Sequence, residues 1–150
     1  MKKNFEDWMT EYDASHQNPR NQKIHKICVP LITLTVVGFF WLVPRPVIFS
    51  FQLNWAIVFI LACLGFYLTL NFKMFLGMLI QSLVMLWICA TLAGRGILLP
   101  FCLVVFFFAW LGQFYGHKIE GKKPSFLQDV VFLLIGPLWV LRSLFRKIAL

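Results

Sequence analysis

The chain has 150 residues, of which 60% are hydrophobic, 17% aromatic and only 13% charged, and its mean hydropathy is +0.78. Soluble domains are about half apolar and a quarter charged, so a water-soluble globule is excluded and a single membrane domain over 1–150 is expected. The net charge of +8 does not predict a nucleic-acid partner, because the basic residues flank apolar runs instead of forming a stripe with interleaved aromatics.

The chain opens with a polar segment, 1–26, carrying Glu6, Asp7, Glu11 and Asp13. That is unlike the start of a signal peptide, so the first apolar run is expected to stay as a span. Phe5, Trp8, Met9 and Tyr12 recur at spacings of three and four. This predicts an amphipathic helix on the membrane surface, with Asn4 as its cap. Asn18-Pro19 ends it, since proline disfavours helix for the residue before it. A second helix starts near Asn21 and runs through His25 into the first span.

Apolar runs at 27–43, 55–70, 74–93 and 97–115 are 16 to 20 residues long and predict four spans. They are separated by Pro44-Arg45-Pro46, Asn71-Phe72-Lys73 and Gly94-Arg95-Gly96. The last two breaks are so short that spans two to four must be antiparallel neighbours. A weaker run at 126–141 contains Asp129 and a Gly136-Pro137 break and reads as a re-entrant or interfacial helix. The expected fold is therefore an all-α membrane bundle of about four spans, with an N-terminal amphipathic helix and a cytoplasmic C-terminal segment over 116–150. Cys28, Cys63, Cys89 and Cys102 follow no metal-binding spacing and read as small buried hydrophobes in a reducing compartment. Such a layout is also open to oligomer formation.

Lysine and arginine counts set the orientation. Five precede the first span, one sits in each of the three connections, and six follow residue 115. Both termini are thus expected in the cytoplasm. Compact length and the lack of a targeting segment point to a bacterial inner membrane; an endoplasmic-reticulum protein would present the same features.

The chain has three histidines. Four spans, an even number, separate His25 from His117, so the two emerge on one face. On one continuous helix the nine residues from His16 to His25 would turn about 900° and place them on opposite sides. The Asn-Pro break lets His16 fold back toward His25. Glu120 follows His117 at i+3, on the same face if that segment is helical. Imidazoles with a nearby carboxylate suit iron(II), zinc or copper. Taken singly, each histidine reads more simply as an interfacial side chain, and Glu120 as a surface partner of Lys118 or Lys123. Their shared face lifts the set.

Two motifs carry a resemblance. Tyr12, His16, Asn21, His25 and Pro30 form Y-x3-H-x4-N-x3-H-x4-P, and Trp110, Gln113, Phe114, Gly116, His117, Glu120, Gly121 and Pro124 form W-x2-QF-x-GH-x2-EG-x2-P. In this order and span layout the chain resembles the membrane 2-hydroxy fatty acid dioxygenases, whose fungal member acts in phytosphingosine breakdown. The fungal pattern has one more residue between the histidine and the glutamate, which bears on the role of Glu120.

The resemblance implies an iron(II) enzyme that shortens a 2-hydroxy fatty acid by one carbon, with dioxygen as co-substrate and the lipid bilayer as its setting. Oxidising the C2 alcohol and releasing C1 as carbon dioxide supplies four electrons, which one dioxygen consumes. His16, His25 and His117 would hold the metal, and Glu120 would serve catalysis by orienting His117 or steering a proton. Asn21 and Gln113, beside Tyr12, would orient a ligand imidazole through its other nitrogen; Asn21 also reads as a helix N-cap. Arg20, Lys122 and Lys123 are placed to meet the substrate carboxylate, or are ordinary topology charges. The Phe106-Phe107-Phe108 run reads as lipid-facing or core packing rather than a substrate gate.

The alternative is a non-enzymatic scaffold or transporter-like protein. Transport paths usually need ionisable groups at depth, and only Asp129 is a candidate here, which disfavours it. Haem ligation would want paired histidines facing across the bundle, whereas these lie at its rim.

Overall fold

Asparagines set most of the helix starts. In the computed structural model, which describes residues 3–48, 50–123 and 130–148, helix α1 (Phe5–Ala14) begins with a capping box. The Asn4 side chain accepts from the Asp7 amide at 3.0 Å, and Asp7 accepts from the Asn4 amide at 2.9 Å. Helix α2 (Pro19–Leu42) starts two residues earlier than the sequence suggests, because Asn18 accepts from the Arg20 amide at 2.9 Å and Pro19 fits the first turn. The Asn-Pro pair therefore starts α2, while α1 has already ended at Ala14. His16 lies in the turn between them.

A short hairpin, β1 (Val47–Ile48) with β2 (Phe51–Gln52), leads into α3 (Trp55–Leu70). Asn71 then ends one helix and starts another. Its amide donates to the Tyr67 carbonyl at 3.1 Å, while its side chain accepts from the Met74 amide and caps α4 (Phe72–Gly94). Helix α5 (Leu98–Glu120) stops at Gly121, whose φ of 72° is the left-handed conformation that glycine adopts cheaply.

Three helices, α2, α4 and α5, are 24, 23 and 23 residues long and apolar enough to cross a membrane. Helix α3, the second expected span, has 16 residues. Its length of about 24 Å falls short of a ~30 Å hydrocarbon core. Yet α2 leaves the histidine end and α5 returns to it, so α3 and α4 together must complete a return path.

Helix α6 (Phe132–Ile148) runs unbroken through Gly136-Pro137. The expected break does not form. Ile135 and Leu138 on its inner face are fully buried, and α6 packs against α1, α2 and α4. Residues 124–129, which include Pro124 and Asp129, lie outside the described residues. Helix α1 is also held into the bundle, with Phe5, Met9 and Tyr12 buried. Trp139 donates to Asp13, and Arg142 pairs with Asp13 at 3.4 Å and Glu6 at 3.3 Å. The four cysteines are free thiols, three of them buried.

The closest packing joins α2 to α5 and rests on small residues. A Cβ added at Gly112 would collide with the Cys28 sulfur, one at Gly116 with the Asn21 side chain, and one at Gly38 with the Cys102 sulfur. Gly112 and Gly116, one turn apart, thus let α2 approach closely, the small-xxx-small arrangement that membrane helices use. Gly116→Ala is expected to spread the two helices where His25 and His117 meet. Lower thermal stability and weaker metal retention, read in one melting series with and without metal, would bear this out; unchanged values would not.

Phe107 and Phe108 point outward, 59% and 64% exposed, as lipid-facing groups should be. Phe106 instead turns inward against Phe39 and Trp110.

Candidate metal centre

The three histidines converge. His16 comes from the α1–α2 turn, His25 from the second turn of α2 and His117 from the last turn of α5. They are only 1%, 1% and 6% exposed, and one ligating nitrogen from each lies within 4.8 Å of the others. Three nitrogens around one ion at ~2.1 Å would stand about 3–3.5 Å apart. The cluster is therefore within small side-chain adjustments of a metal site.

Backbone carbonyls decide which nitrogens are free. His16 Nδ1 lies 2.8 Å from the Tyr12 carbonyl, and His25 Nδ1 lies 3.1 Å from the Asn21 carbonyl. A carbonyl only accepts, so both Nδ1 atoms carry the hydrogen and both Nε2 atoms present lone pairs. The His16 Nε2 is buried with no hydrogen-bond partner. The His25 and His117 Nε2 atoms face each other at 3.2 Å. The His25 lone pair is therefore met either by a hydrogen on the His117 Nε2 or by a cation shared between the two rings. The donor set fits a borderline metal ion.

Aromatic packing fixes the His16 ring. Tyr12 stacks on it at 4.1 Å with only 8° between planes, and Trp139 lies 5.5 Å away. Burial pushes the His16 pKa down, opposed by the Tyr12 carbonyl and by Glu120 and Asp13. Burial also raises the Tyr12 pKa, which keeps its phenol neutral.

Glu120 does something the sequence did not reveal. Its carboxylate accepts from the Gln17 amide at 2.8 Å, the Asn18 amide at 2.9 Å and Asn21 Nδ2 at 2.9 Å. It latches the His16-bearing turn onto the end of α5. Among the described residues it pairs with no lysine, and it is not in the cluster of ligating atoms. Asn21 is not the helix cap, a position Asn18 takes. It is fully buried, and it ties His25 through its carbonyl to Glu120 through its amide.

Gln113, one turn before His117, lines a cavity of about 60 Å³ against the three histidines, with Tyr12 and Trp110. Arg20 and Lys123 are exposed. Lys122 donates to the Ala14 carbonyl at 2.6 Å, closing the C-terminal end of α1. These three do not converge on the histidines. Trp139 supports the site from a distant segment, anchored by Asp13, and no local pattern in the sequence marks it.

Fold and site together define a helical membrane protein whose only histidines form one buried, metal-competent cluster at a bundle end. The chain belongs to the 2-hydroxy-palmitic acid dioxygenase Mpo1-like family, whose model matches residues 2–148. No curated protein and no solved structure matches it.

Proposed function

We propose that the protein is an iron(II)-dependent dioxygenase that converts a 2-hydroxy fatty acid and dioxygen into the fatty acid one carbon shorter, carbon dioxide and water. Family membership supports a dioxygenase. The observation that carries the metal assignment is the buried meeting of His16, His25 and His117, in which the His25 and His117 Nε2 atoms face each other and the His16 Nε2 is buried without a partner.

These three nitrogens would hold the ion, which supplies redox chemistry toward dioxygen and Lewis acidity toward the hydroxy acid. The Tyr12 and Asn21 carbonyls hold two of the rings in the right tautomer and orientation. The Glu120 latch keeps His16 against the other two histidines. The small cavity beside Gln113 has room for the reacting end of the substrate, and the apolar rings around it exclude bulk water. Arg20 and Lys123, exposed at this end, would offer positive charge to an arriving fatty carboxylate, while the Lys122 ammonium is engaged by the Ala14 carbonyl.

The test is iron content of the detergent-purified protein together with product analysis under oxygen. Near-stoichiometric non-haem iron and a fatty acid one carbon shorter than the 2-hydroxy acid supplied are expected. Absence of both would favour a scaffold.

The histidine end lies in the cytoplasm in this reading, on the strength of the five, one, one, one, six distribution of basic residues. Single cysteines near Arg45 and Arg95, in a cysteine-free background, should label from outside the cell, and ones near His16 and Lys122 should not. Outside labelling near His16 would overturn this orientation.

A further inference from the structure

Below the histidines lies a second, larger and partly open cavity of about 590 Å³, lined by α2 to α6. It meets the small cavity at Ile32, Thr33, Trp110 and Leu133, which line both. We infer that this cavity holds the acyl tail of the substrate inside the protein rather than in the bilayer, and that Phe59 and Met85 near its floor set the longest chain accepted. This rests on the dioxygenase reading above, which requires a hydroxy acid whose reacting end reaches the histidines.

The walls suit a hydrocarbon. Val36, Ile60, Met78 and Leu134 are apolar, and two polar side chains on the wall are satisfied within the protein. Tyr67 donates to the Leu134 carbonyl at 2.9 Å, and Thr33 donates to the Val29 carbonyl at 2.9 Å. Gln81 and Ser82 of α4 add one polar strip. A volume of this size lies within the ~300–1,000 Å³ of pockets that enclose a small ligand.

Helix geometry gives the depth. Val37, which lines the deep part, stands 12 residues beyond His25, or about 18 Å along the helix axis. Phe106 stands 11 residues before His117 on the antiparallel α5, at about the same depth. Phe59 lies near the start of α3 and Met85 past the middle of α4, so both fall toward the same end. A staggered chain advances roughly 1.3 Å per carbon, given ~1.5 Å bonds. About fourteen carbons would therefore reach that floor.

The test is displacement of a fluorescent fatty acid from the purified full chain by 2-hydroxy acids of increasing length. It is run without oxygen so that no ligand is consumed, and a turnover series under oxygen runs alongside. Affinity should rise with length and then fall. Ser82→Phe should move the limit to shorter chains and Met85→Ala to longer ones. A methylene that does not fit should cost about 10-fold or more. Unaltered length profiles in both variants, with wild-type helix content and iron, would overturn the assignment. Equal displacement by dipalmitoyl phosphatidylcholine would also overturn it, as a bilayer lipid would then be the occupant. Length limits that shift as expected in a protein that oxidises no 2-hydroxy acid would support the cavity assignment while removing the dioxygenase reading.

Discussion

If the proposed iron site is correct, His25→Ala is expected to remove nearly all bound metal and to abolish turnover, with the helices intact. His25 stands at the centre of the cluster. Its ring centroid is 4.4 Å from that of His16 and 4.8 Å from that of His117, and its Nε2 faces the His117 Nε2 directly. Altering a group that only orients a metal ligand typically costs ~10–100-fold in affinity or activity, so loss of the ligand itself should exceed about 100-fold in retained iron. Helix content should survive, because the backbone hydrogen bonds are internal to each helix and the contacts of α2 with α5 at Gly112 with Cys28 and at Gly38 with Cys102 do not involve the imidazole. His16→Ala and His117→Ala should behave alike. Metal analysis alongside circular dichroism checks this. Stoichiometric iron in a protein lacking all three histidines would sink the metal assignment.

Glu120→Gln should separate holding the site together from binding the metal. The carboxylate closes three hydrogen bonds onto Gln17, Asn18 and Asn21. An amide has one carbonyl oxygen for these donors and no charge, so the latch loosens. Iron should largely remain while turnover falls by ~10–100-fold. Hydrogen exchange at the Gln17 and Asn18 amides should also quicken, a readout that a proton-transfer role alone would not move. Loss of iron in parallel with activity would instead make Glu120 a direct ligand. Unchanged iron, turnover and exchange would show that it is neither ligand nor latch.

Much of the architecture was legible because a bilayer imposes simple rules on sequence. Runs of 16 to 20 apolar residues, punctuated by Asn71 and by Gly94-Arg95-Gly96, can only be helices where backbone groups must bond within their own segment. A shared face for His25 and His117 was expected from parity over four crossings, although among the described residues three helices are long and apolar enough to cross. The helix boundaries were less legible. Asn18, rather than Asn21, begins α2, because a cap depends on whether the side chain reaches the amide two residues on. The Gly136-Pro137 pair reads as a break, yet α6 passes through it, because its inner face is buried against the bundle and packing outweighs local propensity.

What the sequence determined by itself is what depends on period, length and residue type: an all-α bundle, apolar spans, and three imidazoles at one end. Tertiary structure alone decided the rest. The role of Glu120 depends on the amides of Gln17 and Asn18, about a hundred residues away along the chain, and backbone amides carry no sequence signature. The free Nε2 atoms depend on which carbonyl each ring meets. The large cavity depends on how five helices fail to fill the space between them. These are properties of contacts between distant segments, and only the packed chain defines them.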